Sequence, residues 1–187
     1  MIVDLKIING LVMLNGKLLK VDLAINEGKF CAIGNKEQLP KSKKTIDVEG
    51  KIVLPGTVDP HVHFRDPGRP DRETFATGTK AAAAGGVTTV LEQPISTPPP
   101  YSPAIIKNRI KVADKKAYVD FAFFGAAGSD KLDEIDGLSS TGIIAYKTFL
   151  HSPPPERKEE FIGLTMKNDG EILAGFEKIS KTGLICA

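Results

Sequence analysis

From Pro55 onward the chain alternates short apolar runs with amphipathic ones, and that alternation constrains the fold more than any other feature. "TVDPHVHF" reads as a buried strand. "RETFATGTKAAAAGG" reads as a helix stopped at Gly85-Gly86. "VTTVLEQ" is a strand, and "SPAIIKNRIKVADKKA" is a helix with Ile106, Ile110 and Ala113 at helical spacing. "YVDFAFFG" is a strand, "SDKLDEIDGL" a short helix and "GIIAYKTFL" a strand. "DGEILAGFEKISKTG" is a helix with Ile172, Leu173, Phe176 and Ile179 on one face, and "LICA" opens another strand. Strands alternating with helices imply βα units on a parallel sheet. Four units and the start of a fifth fit into 187 − 54 = 133 residues, whereas a complete (β/α)₈ barrel takes roughly 250. An open doubly wound sheet is the competing architecture. Its nucleotide-binding form wants a glycine-rich phosphate loop after the first strand, and here that strand carries histidines. The first half of a TIM-type (β/α)₈ barrel, an α/β fold, is therefore expected over residues 55–187.

Residues 1–54 follow a different grammar. "VDLKII", "LVMLN", "LLKVDLAI" and "KFCAIG" are strand-like runs separated by Asn9-Gly10, Asn15-Gly16 and Glu27-Gly28. Such dipeptides between alternating runs signal hairpins. The expectation is a small antiparallel β-sandwich segment, built as a meander and closed by "TIDVEGKIVLPG".

Composition removes several classes of function. Hydrophobic residues make up 41% and charged residues 26% of the sequence, values for ordinary globular chains. The 25 basic and 23 acidic residues are dispersed, apart from Lys41, Lys43 and Lys44. No basic stripe with interleaved aromatics points to nucleic acid. No run approaches the ~20 apolar residues of a membrane helix, and Met1 to Leu14 does not read as a signal peptide. Cys31 and Cys186 form no CxxC pair and read as reduced, buried small hydrophobes. A cytoplasmic protein with neither nucleic-acid nor membrane partners is expected.

Two features carry chemistry. In a strand, residues two apart share a face, so His61 and His63 lie together while Val62 and Phe64 point the other way. Only three histidines occur in the chain, and two of them form this pair. Adjacent imidazoles on a rigid strand suit a borderline-soft divalent metal such as zinc. A pair of core histidines bonded to backbone carbonyls is the plainer alternative. Their place at the C-terminal end of the first barrel strand, where barrel enzymes keep their chemistry, favours the metal. Lys147 lies in the apolar "GIIAYKTFL", where an unpaired ammonium is costly. It either reaches out from the strand end to water or an acid, or reacts as an amine with carbon dioxide to give an anionic carbamate.

Over essentially its whole length the sequence resembles the cyclic amidohydrolases, the dihydroorotase, allantoinase and hydantoinase group of the amidohydrolase superfamily. "PGTVDPHVHFRDPG" and "GTKAAAAGGVTTV" are specific multi-residue matches, and "AYKTFL" matches the segment that carries a carbamylated lysine. The resemblance implies two Zn²⁺ ions, His61 and His63 on the more buried one, and carbamylated Lys147 bridging both. It implies hydrolysis of a cyclic amide C–N bond, a small cyclic amide or ureide as substrate, and a homo-oligomeric parent. Two further metal histidines from the fifth and sixth strands, and a proton-shuttling aspartate from the eighth, are expected beyond residue 187. No complete catalytic set is therefore expected in this chain. His151, in "HSPPPE", reads as a loop residue.

Specificity is mixed in the sequence. Arg65, two residues past His63, matches the arginine with which dihydroorotases hold a substrate carboxylate, a task that suits its donor fork. The alternative for Arg65 is a salt bridge to Asp66 or Asp71. "QPISTPPP", with Ile95 and Ser96, follows the layout of allantoinases, and it makes Ser96 a candidate substrate contact. Asp59 reads as structural. Dihydroorotase-like ring opening is the leading expectation, with allantoinase or hydantoinase specificity as the alternative. An inactive scaffold or truncated relative is the reading from another class, but a scaffold has no reason to keep His61, His63 and Lys147 together.

Overall fold

The computed structural model describes residues 2–187, and these divide into two compact units, residues 2–55 and 56–187. In the first, seven strands form two sheets: β1 (Ile2–Ile8), β2 (Leu11–Leu14), β3 (Lys17–Lys20), β4 (Asp22–Asn26), β5 (Lys29–Gly34), β6 (Lys41–Asp47) and β7 (Ile52–Val53). The orders are β5-β4-β1-β6 and β3-β2-β7. Asn15-Gly16 and Glu27-Gly28 close two-residue hairpins, with φ of 47° and 76° in the first and 52° and 72° in the second. Paired positive φ values match the twist of the flanking strands.

The expected meander is corrected by the pairing. β1 runs parallel to β6, and β2 runs parallel to β7. Asn9-Gly10 closes no hairpin because the Asn9 N–H is donated to the Asp22 carboxylate at 2.7 Å, and the chain crosses to the second sheet. A Cβ on Gly10 would lie 2.8 Å from Val53 Cγ2, so only glycine fits this crossing. Cys31, expected buried, is exposed. It sits on β5, an edge strand that also leaves Phe30 69% exposed.

The second unit is a curled parallel sheet with helices, the N-terminal half of a TIM-type barrel. Its elements are β8 (Thr57–Val62), α1 (Phe75–Ala84), β9 (Val87–Glu92), α2 (Pro103–Lys116), β10 (Asp120–Ala126), α3 (Ile135–Ser139), β11 (Ala145–Lys147) and α4 (Asp169–Ser180). The sheet order is β11-β10-β9-β8, every pair parallel, with Cys186 bridging to Tyr146 alongside β11. α1 starts where Thr74 and Thr77 form a reciprocal capping box. Gly78 lets the Phe64 ring lie against the helix, since a Cβ there would meet that ring at 2.3 Å. Phe64 and Phe75 stack edge to face at 5.1 Å in a core that includes Val90, Ile106, Phe123 and Tyr146.

Two elements differ from expectation. The strand expected over "GIIAYKTFL" is ordered as such only at Ala145–Lys147. Past Lys147 the chain pairs instead with the following loop, through Phe149 N–H to Leu164 O and Met166 N–H to Phe149 O, both 2.9 Å. On α4, Leu173 and Phe176 are 63% and 41% exposed. The inward positions are Ile172, Gly175 and Ile179, because Met166 fills the space a side chain on residue 175 would need.

Arg109 lies between Ile106 and Ala113 on the buried stripe of α2, and it is fully buried. Its Nη2 donates to the Glu92 carboxylate at the end of β9 at 2.7 Å, both side chains being 0% exposed. Burial pushes the Glu92 carboxyl up, to about 7, against the pull of Arg109. Removing one partner strands a buried charge, which costs about 3–5 kcal/mol. Arg109→Met should therefore lower the urea unfolding free energy by about that much, and adding Glu92→Gln should recover most of the loss. Additive losses in the double variant would contradict this coupling.

Candidate metal centre

Because the sheet is parallel, the C-terminal ends of β8, β9, β10 and β11 share one edge, and the candidate residues collect there. His61 lies on β8 and His63 just past it. Val62 packs against the core and Phe64 is 5% exposed, so the imidazoles take the opposite face. Their ring centroids are 5.2 Å apart. Asp59 accepts the His61 backbone N–H at 3.0 Å and so braces the strand.

His63 is half-buried, and its Nδ1 is buried without a hydrogen-bond partner. A buried polar atom left unsatisfied costs about 1–3 kcal/mol and asks for an explanation. Burial lowers the pKa of His63 to about 4, and the positive charge of His61, Arg65, Lys147 and Arg157 adds to that effect. At neutral pH the ring is therefore uncharged, the form that binds metal.

Lys147 ends β11 half-buried, its Nζ 5.3 Å from the centre of the Phe149 ring. No acidic partner lies within ion-pair distance of it among the described residues. Among the described residues no cluster of three or more His, Cys, Asp or Glu could hold a metal. Two imidazoles on one strand face, one of them neutral and with an orphaned nitrogen, together with an amine that has no acidic partner among the described residues, nevertheless fit a divalent ion once the amine becomes an anion.

Arg65 has φ 56°, in the left-handed region, and its carbonyl accepts the Arg69 N–H at 2.8 Å. Its guanidinium pairs with Glu160, and neither Asp66 nor Asp71 takes it. Asp66 is held by Lys116 at 2.8 Å, and Asp71 is gripped by Arg69 at 2.9 and 3.0 Å. Glu160 also accepts from Arg157 at 2.6 Å. Arg157, and next Arg65, hold the Glu160 carboxyl below its ordinary value.

Ser96 does not reach the site surface. It is 0% exposed, its hydroxyl accepts from Arg109 and donates to Pro98 O at 2.8 Å, and it ties the loop after β9 to α2. His151 lies exposed in its loop, with Nδ1 2.7 Å from the Ser152 carbonyl oxygen. The sequence reading missed Glu92, Arg109, Arg157 and Glu160. Arg109 alone had a signal, a charge in register with an apolar stripe.

Comparison with known proteins gives a consistent result. Residues 50–146, just over half of the chain, match the family model described as dihydro-orotase-like. An allantoinase from Desulfitobacterium hafniense (strain Y51) is 38% identical over 184 residues, covering 97% of this chain and 39% of that protein. An allantoinase from Bacillus licheniformis is 39% identical over 183 residues, covering 95% and 39%. Among solved structures, the L-hydantoinase (dihydropyrimidinase) of Arthrobacter aurescens superposes with a TM-score of 0.88 at 28% identity, covering 99% of this chain and 40% of that one. The D-hydantoinase (dihydropyrimidinase) of a Thermus species gives 0.76 at 27% identity, covering 97% and 39%. The chain thus spans about 39% of the length of the curated relatives it matches. A parallel half-barrel sheet, the histidine pair ending its first strand and these likenesses agree: the chain belongs to the dihydro-orotase-like family of cyclic amidohydrolases.

Proposed function

We propose that the full-length parent of this chain hydrolyses the C–N bond of a cyclic amide or ureide, and that His61, His63 and Lys147 hold its metal, zinc in the first instance. One observation carries this reading: the partnerless, buried Nδ1 of His63, a ring neutral at physiological pH, beside His61, with the Lys147 amine free of any acid within ion-pair distance among the described residues. A divalent cation bound there would supply Lewis-acid polarisation of the ring carbonyl.

The residues of the chain do the rest. β8 fixes both imidazoles on one face, and Asp59 keeps the strand from twisting away by accepting the His61 N–H. The Lys147 amine, in its unprotonated form, adds to carbon dioxide with loss of one proton, and the resulting carbamate offers an anionic oxygen donor. The reading places the remaining ligands and the proton-transferring carboxylate outside these 187 residues. Allantoin-like or hydantoin-like rings are favoured as substrates by the names of the relatives, with dihydroorotate the second reading on the strength of Arg65.

Elemental analysis of the full-length parent should find about two divalent ions per chain, rising with bicarbonate. His61→Ala, His63→Ala and Lys147→Ala should each lower that content; unchanged metal in all three contradicts the assignment. In metal-free protein, the His63 ring should titrate near pH 4 by NMR. The unfolded chain then binds more protons between pH 4 and about 6.5, so stability should rise with pH across that window. A His63 midpoint at or above 6.5 would contradict the burial argument. Residues 1–187 alone, supplied with zinc and bicarbonate, should open no cyclic amide ring; measurable turnover would show that the site is complete without further ligands.

A further inference from the structure

β8 departs from regular pairing where it carries the first histidine. Asp59 pairs with Val90 and Val62 with Glu92, so β8 takes three steps where β9 takes two, and Pro60 and His61 together stand opposite Leu91. That is a β-bulge, a device that disrupts the ladder locally and re-aims the side chains beside it. Pro60 has no N–H to give to a neighbouring strand, which suits it to this place. Beyond the bulge the alternation resumes, with Val62 and Phe64 turned to the core.

Gln93, the first residue past β9, closes over the bulge. Its backbone N–H donates to Val62 O at 2.9 Å, and its side-chain Nε2 donates to Pro60 O at 3.1 Å. One residue thereby grips β8 on both sides of His61, while Asp59 takes the His61 N–H at 3.0 Å. Gln93 is 2% exposed, so water has little access to compete for these bonds. The same contact fixes the orientation of the carboxamide. Turned over, it would set Oε1 against the Pro60 carbonyl, two acceptors face to face. As it stands, Oε1 is buried and has no partner. An unpaired buried acceptor is unfavourable, and an apolar side chain of like shape would avoid it. Stability therefore does not account for glutamine at this position, and departures of this kind collect at functional sites.

We propose that Gln93 is a positioning residue for the candidate metal centre: its side chain splints the bulge and so fixes the direction in which His61 and His63 present their nitrogens. Gln93 acts through the backbone of β8 rather than on the metal. Its role presupposes the reading of the two histidines as metal ligands given above.

Zinc affinity of the full-length parent, measured by competition with a chromophoric chelator, tests this without turnover. Gln93→Met keeps the length of the side chain and removes the donor. It should weaken zinc binding about 10–100-fold, the loss typical when a group supporting a ligand is removed. Ser96→Ala is the comparison, because it removes buried hydrogen bonds from the same loop whose partners are Arg109 and Pro98 rather than β8. It should leave the affinity unchanged. Unchanged affinity in Gln93→Met, or an equal loss in Ser96→Ala, overturns the proposal. His61→Ala and His63→Ala, run alongside, separate it from the metal reading. If both bind zinc as before, that reading falls and takes the role of Gln93 with it. If both weaken while Gln93→Met does not, the role of Gln93 alone falls. Should Gln93→Met fail to fold, the side-chain amide NMR signals of Gln93 in the unmodified protein decide. They should move in step with zinc occupancy, and signals that stay fixed as zinc saturates overturn the proposal.

Discussion

The period-two alternation of β8 is the constraint on which the rest depends. Val62 and Phe64 are drawn inward by the core they share with Phe75 and Val90, and that leaves His61 and His63 no choice but the other face. A slip of one residue would bury both imidazoles and expose Phe64. Gly78 makes the register specific, because the Phe64 ring occupies the place of its missing side chain. The sterics of a helix packed on a strand thus fix where two nitrogen donors point.

Around that strand the molecule uses charge pairs of two kinds. Glu92 and Arg109 are wholly buried and join β9 to α2, and Arg109 also reaches Ser96 in the loop that follows. Buried pairs of this kind add little net stability, but they penalise heavily any arrangement that separates them. Arg65, Glu160 and Arg157 form the second kind, partly shielded at the edge where the strands end. Lys147 stands apart, half-buried and without an acidic partner within ion-pair distance among the described residues.

The parallel half-barrel was legible because helix and strand periods alternate cleanly from Thr57 to Ser180, and the histidine pair because strand geometry leaves little freedom. The parallel pairing of β1 with β6 was not, since Asn9-Gly10 carries a hairpin signal and only the tertiary contact of Asn9 with Asp22 overrides it. The inward face of α4 was misjudged because Gly175, silent in a hydrophobic pattern, is the position into which Met166 packs. Ser96 was expected to touch substrate, yet α2 supplies a buried arginine that claims its hydroxyl. Arg65 and Glu160 are 95 residues apart, and no local pattern links them. Long-range partners of charged residues depend on the fold, and a single sequence leaves them open.

The most direct test of the account is X-ray absorption at the zinc edge on zinc-loaded protein prepared with bicarbonate. The account predicts outer-shell scattering from imidazole rings, diminished in His61→Ala and again in His63→Ala, with nitrogen and oxygen neighbours at ~2.0–2.2 Å. A spectrum without imidazole scattering, or one that both histidine variants leave unchanged, would contradict it.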